Sequence, residues 1–137
     1  MTAMGECIFC KLGQDKKVIL HENNFAYVLL DIHPINKGHC LIVLKEHQQD
    51  IYSIPSSALH GMIELTQQVA VAAKKATGAD GINLGMNNGG AAGQIVFHAH
   101  VHVIPRFSHD GLVNWPSKEY ASGEMQQYAE KMKKALQ

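Results

Sequence analysis

The chain has no excess of either charge: twelve Lys and Arg offset twelve Asp and Glu. A nucleic-acid surface normally needs a basic excess, so no nucleic-acid partner is expected. Small anions stay open, because a local site can be positive on a neutral protein. No apolar run approaches the roughly 20 residues that span a bilayer, so no membrane partner is expected either. The first residues, MTAMGECIFC, lack the basic start and apolar core of a secretory signal. Cysteine is scarce, at Cys7, Cys10 and Cys40 only. An odd count without a signal argues against a disulfide framework and for reduced thiols in a cytoplasmic setting. No repeat, low-complexity tract or Pro/Gly/Ser-rich linker interrupts the 137 residues. Residues 1–137 therefore read as one domain, long enough to bury a core unaided.

FAYVLLDI, residues 25–32, reads as a strand, HPINKG as a turn, and HCLIVL, residues 39–44, as a second, well-buried strand. Two strands joined so tightly should be antiparallel neighbours. After Pro55, Ser56 or Ser57 can cap a helix. Leu59, Met62, Ile63, Leu65 and Val69 recur at helical spacing, and the helix runs to about Thr77 before Gly78 stops it. Residues 81–86 read as a short strand and NNGGAAGQ, residues 87–94, as a loop. Alternation over residues 95–104 predicts a long strand ending at Pro105. Residues 124–136 predict an amphipathic helix with lysines in its later turns. The order implies an α+β fold with an antiparallel sheet, one central helix and one C-terminal helix.

Histidine is what the chain has in quantity, nine residues, three of them at positions 98, 100 and 102. On a strand, alternate side chains share a face, so these imidazoles point one way while Ala99, Val101 and Val103 point into the other layer. A His-rich solvent face is the bland alternative. One metal held by all three is disfavoured, because residues four apart on a strand are about 13 Å apart while metal–nitrogen bonds are about 2 Å. A His-x-His pair remains able to share an ion. Divided labour fits best, with His100 as nucleophile, since neutral imidazole can form a covalent phosphoryl intermediate. The glycine loop entering this strand can bring backbone N–H groups close to phosphate oxygens.

Cys7-x-x-Cys10 is a redox pair, half a zinc site, or two ordinary thiols. Zinc needs two further ligands, for which His47 and His98 are the candidates in a closed structural site. Asp31, at a strand end before a turn, either bonds the turn or accepts ribose hydroxyls. Cys40 reads as a small core residue. Trp115 is expected in the core or at a dimer interface ahead of the substrate.

Assembled, these residues resemble the histidine-triad (HIT) family. The likeness runs from CIFC at residues 7–10 to VIPR at 103–106. It rests on HAHVHVI preceded by GQIVF, and on DIHPINKGHCLIVLKEH, residues 31–47. The resemblance implies an antiparallel sheet of about five strands and a homodimer with a sheet continuous across its interface. It implies nucleotidyl transfer in two steps: His100 displaces the leaving group from the α-phosphate, then water releases the nucleoside monophosphate. His102 would bond the phosphate oxygens, supported by His39, with Asn87, Gly93 and Gln94 in the phosphate loop and Asp31 on the ribose. Ile8, Phe9, Leu12, Leu29 and Ile32 would line the base pocket. Cys7, Cys10, His47 and His98 match the zinc-binding subset, and no magnesium is implied for the chemical step. The substrate class implied is purine nucleoside phosphoramidates or related conjugates. The alternatives are a dinucleoside polyphosphate hydrolase, or a nucleotide-binding regulatory protein with little turnover. Ile95 stands where many members carry Ser or Thr, and Ala99 is smaller than usual for its place.

Overall fold

The computed structural model describes residues 6–137. Five strands form one antiparallel sheet: β1 (His21–Glu22), β2 (Ala26–Leu30), β3 (Cys40–Leu44), β4 (Gly81–Gly85) and β5 (His100–Arg106). Their spatial order is β1-β2-β3-β5-β4. The helices are α1 (Ile8–Leu12), α2 (Ser56–Thr77) and α3 (Glu124–Ala135). No described helix is long and apolar enough to cross a membrane.

Both faces of the central strands are covered, which explains why β2 and β3 read as nearly continuous apolar runs. On one face Val28, Ile42, Leu44, Val101 and Val103 pack with Met62, Leu65 and Val69 of α2. Cys40 joins this cluster, as expected of a small core residue. On the other face Tyr27, Leu29, Leu41 and Val43 pack with Cys7 and Phe9 around α1. The Tyr27 hydroxyl donates to the Phe9 carbonyl and ties α1 to the sheet. Period-two alternation thus divides β5: Val101 and Val103 face α2, whereas His100 and His102 face the other way.

Five expectations need correction. The strand predicted over residues 95–104 begins only at His100 and runs on to Arg106. The Ala99 N–H instead donates to the Gln48 carbonyl at 2.7 Å, so the segment entering β5 is held by a loop. Pro105 does not end β5, because β3 pairs only as far as Val103 and no ladder bond is lost on that side. Neither Ser56 nor Ser57 caps α2: Pro55 occupies the N-cap position, extended at ψ 147°, and no side chain caps there. Ile63, assigned to the apolar helical repeat, is 54% exposed. Trp115 is not a core residue, being 91% exposed.

α1 and β1 escaped the sequence reading because elements of five and two residues carry too few positions for periodicity. The C-terminal helix forms close to its expected limits, yet none of its residues is buried.

Candidate active site and metal-ligand cluster

The three triad imidazoles meet different partners, and those partners assign their tautomers. The Nδ1 of His100 lies 2.7 Å from the His98 carbonyl oxygen and must donate to it. The proton is therefore on Nδ1, and Nε2 keeps its lone pair. Phe9 packs edge-on against this ring, with centroids 5.0 Å apart. Burial, the larger influence, pushes the His100 pKa down, against the opposing pull of the carbonyl and Asp31. A buried, neutral, fixed imidazole with a bare nitrogen is a competent nucleophile.

His102 is set by a chain that begins in the backbone. The Ile35 N–H donates to His39 Nδ1 at 3.1 Å, so the His39 proton sits on Nε2. That nitrogen lies 2.9 Å from His102 Nδ1, which must accept. The His102 proton is then on Nε2, turned into a donor for an anion. Burial, followed by the nearby His100 and His39, lowers the His102 pKa to about 4. Asp31 bonds the turn, the first of the two readings of its position: Oδ1 accepts from the His33 N–H, while Oδ2 lies 3.6 Å from His39 Nε2.

His98 belongs to another group. Its Nε2 lies 2.5 Å from the Leu44 carbonyl oxygen and donates to it, leaving the Nδ1 lone pair free. That Nδ1 is 3.3 Å from Cys7 Sγ, 3.5 Å from Cys10 Sγ and 3.1 Å from His47 Nδ1. All four donor atoms lie within 4.8 Å of one another. Ligands on a tetrahedron with zinc-like bond lengths are separated by about 3.3–3.8 Å, which these spacings approach. Two sulfurs and two ring nitrogens thus converge on one point, and His47 Nε2 is a buried atom without a hydrogen-bond partner. Burial, reinforced by Cys7, pushes the Cys10 thiol up to about 11, so its protonated form prevails until a cation binds. The cluster can hold a metal ion.

The glycine loop is folded on itself. Gly89 and Gly93 take φ values of 95° and 92°, a region side-chain-bearing residues avoid. Gln94 is the brace: Oε1 accepts from the Gly89 N–H at 2.8 Å, and Nε2 donates to the carbonyls of Gln49 and Val96. Both amide groups of Gln94 thus hold the loop in place. The N–H groups of Gly93 and Gln94 also bond within the loop. Asn87 Nδ2 reaches the Gly93 carbonyl at only 3.4 Å, a bond weak enough to exchange for a ligand.

Of the expected base-pocket residues, Phe9 and Leu29 are buried and Leu12 is half-buried, whereas Ile8 and Ile32 are exposed. Phe9 serves chiefly as a wall of the triad. Sequence reasoning missed Ile35, whose backbone sets the His39 tautomer and which carries no sequence signal. It also missed Arg106 and Asp110, whose i,i+4 spacing was visible.

Residues 12–109 match the family profile described as HIT domain. The chain belongs to the HIT family. Among curated HIT relatives, Adenylylsulfatase HINT3 of Arabidopsis thaliana is 39% identical over 119 residues. The alignment covers 85% of this chain but only 59% of that protein. Adenosine 5'-monophosphoramidase hnt1 of Schizosaccharomyces pombe is 35% identical over 130 residues, covering 92% of this chain and 95% of that one. A crystal structure of a Streptococcus mutans protein superposes with a TM-score of 0.88 at 34% identity, covering 98% of this chain and 88% of that one. A Zn-bound histidine triad family protein from Mycobacterium smegmatis superposes with a TM-score of 0.74 at 32% identity, covering 97% and 99%. The expected HIT-type fold is therefore the one the chain adopts.

Proposed function

We propose that the chain is a nucleotide hydrolase acting at the α-phosphate of purine nucleoside phosphoramidates or related conjugates. The observation that carries this reading is the pair of opposed tautomers, a bare Nε2 on His100 beside an N–H on His102. His100 Nε2 forms a bond to the α-phosphorus, and the bond from phosphorus to the leaving nitrogen breaks with its electron pair. The amine takes a proton from water. Water then attacks the same phosphorus, the bond to Nε2 breaks, and the nucleoside monophosphate departs. His102 Nε2–H and the Ile95 N–H, which has no acceptor among the described residues, stabilise the charge on the phosphoryl oxygens. Asp31 Oδ2 accepts the ribose hydroxyls, and Phe9, Leu29, the half-buried Leu12 and the exposed Ile8 and Ile32 hold the base. The names of the plant and yeast relatives favour hydrolysis of adenylates.

Cys7, Cys10, His47 and His98 would hold zinc in a structural role. The ion would clamp α1 to the entry of β5, and no chemical step passes through it. Residues 1–137 would form one HIT unit, in the reducing cytoplasm where three free cysteines are stable. Two copies would join through β4, the sheet's outer strand next to β5, into a continuous sheet.

A second reading has one observation behind it. Ile95, in the segment that enters β5, is 86% exposed and carries no hydroxyl to assist a leaving group. That favours a nucleotide-binding protein with little turnover. Both readings are tested by incubating wild type and His100→Ala with adenosine 5′-phosphoramidate and quenching to trap the covalent protein adduct. The hydrolase reading expects AMP release and an adduct in wild type only. Full turnover by His100→Ala would sink it, and tight AMP binding without an adduct would favour the second.

A further inference from the structure

Asn36 stands in the turn between β2 and β3, half-buried between the exposed Ile35 and Lys37. Its side chain ties that turn to the far end of β5. Nδ2 donates to the Pro105 carbonyl at 2.8 Å and to Asp110 Oδ2 at 3.1 Å, so both amide protons are engaged. Its backbone carbonyl accepts from the His39 N–H at 3.0 Å. The residue before it, Ile35, gives its own N–H to His39 Nδ1. Asn36 therefore joins the backbone that holds His39 to the opposite end of the sheet.

Both acceptors are fixed points. Carbonyls alternate between the two edges of a strand. The Arg106 carbonyl takes the Asp80 N–H on the β4 side, so the Pro105 carbonyl faces the β3 side. β3 pairs only as far as Val103, which leaves that carbonyl to Asn36. The Asp110 side chain is 8% exposed. Arg106 Nε and Nη2 hold it at 2.8 and 3.2 Å, and the N–H groups of Phe107 and Leu112 at 3.1 and 3.0 Å. Four donors thus fix this carboxylate without Asn36, and Asn36 takes its own place from them.

We propose that Asn36 is a positioning residue of the triad: by pinning the β2–β3 turn to Pro105 and Asp110, it holds the Ile35 N–H against His39 Nδ1. The inference rests on the hydrolase reading above and adds a residue to its machinery. A turn released by about 1 Å loses the bond between Ile35 and His39. The His39 proton is then free to move to Nδ1. A bare His39 Nε2 would demand a proton from His102 Nδ1. His102 Nε2 would then face the pocket as a lone pair and repel a phosphoryl oxygen. A role in turn stability alone predicts something different, a lower Tm with both rings unchanged.

The test uses the full chain with isotope-labelled histidine and compares wild type with Asn36→Ala, Asp110→Asn and Lys37→Ala. The ring-nitrogen NMR shifts of wild type should show the proton on Nε2 at both His39 and His102. Asn36→Ala should mix the tautomers at both rings. It should also lower kcat on adenosine 5′-phosphoramidate about tenfold, with KM within about twofold. Asp110→Asn keeps the shape of the anchor but gives up its charge, and should move the rings less in the same direction. Lys37→Ala, at an exposed place in the same turn, should leave rings and kcat alone. Wild-type ring shifts in folded Asn36→Ala overturn the inference, whatever becomes of Tm or kcat. An equal effect of Lys37→Ala overturns it too, by making the disturbance a property of the turn at large. Should Asn36→Ala fail to fold, unchanged rings in Asp110→Asn decide against it. Wild type that turns over no adenylate removes the hydrolase reading, and the ring shifts still decide this one.

Discussion

His39 Nε2 lies 2.9 Å from His102 Nδ1, and this contact makes His102 a donor toward the triad pocket. His39→Ala should free His102 to rotate and change tautomer. The expected loss in kcat is about 10- to 100-fold with KM little changed, read by steady-state kinetics beside a circular dichroism spectrum showing an intact fold. An unchanged kcat would remove His39 from the machinery.

The acid limb of activity should lie well below the ordinary histidine range. The neutral ring of His102 keeps its Nδ1 on the His39 N–H and its own N–H toward the phosphoryl oxygens, and that form is lost as pH falls through the folded pKa. Burial, with His100 and His39 nearby, has lowered this value to about 4 from 6.5. kcat/KM is therefore expected to stay level from about pH 7 to about pH 5 and to fall below that. A midpoint near the unperturbed value would show that the ring is not desolvated during turnover.

The Cys7, Cys10, His47 and His98 cluster predicts about one zinc per chain by metal analysis. Cys10→Ser should lose the ion and lower Tm by at least about 4 °C. Because the His98 carbonyl also fixes the His100 ring, activity should drop with the metal and return when zinc restores the wild-type protein after chelation. Carefully prepared wild type free of metal, with unaltered Tm, would count against the site.

Gly61 is where α2 meets the loop before β2, and a Cβ there would overlap the Phe25 ring. Alanine normally favours a helix, yet Gly61→Ala should destabilise the chain by about 1–3 kcal/mol through overpacking. Urea unfolding measures this. A more stable variant would mean that the Phe25 ring yields freely.

Much of the site was legible in the one-dimensional chain because its spacing is local. His98, His100 and His102 alternate at the strand period, and Val101 and Val103 duly fill the opposite layer. β3 and α2 were legible for the same reason, since apolar repeats of two and 3.6 are properties of neighbouring residues. Even the four metal-ligand candidates could be named from donor type and position.

What each imidazole does with its two nitrogens was decided only in three dimensions. The carbonyls of His98 and Leu44 and the N–H of Ile35 set the tautomers, and a backbone group leaves no trace in side-chain identity. The start of β5 was likewise a tertiary matter: a loop carbonyl from Gln48 takes the Ala99 N–H and cuts short an alternation that alone would have made strand. The side-chain sequence of this protein determined which chemistries were present and on which face. Folding determined where the protons sit, because hydrogen-bond partners far apart in the chain meet only when the sheet closes.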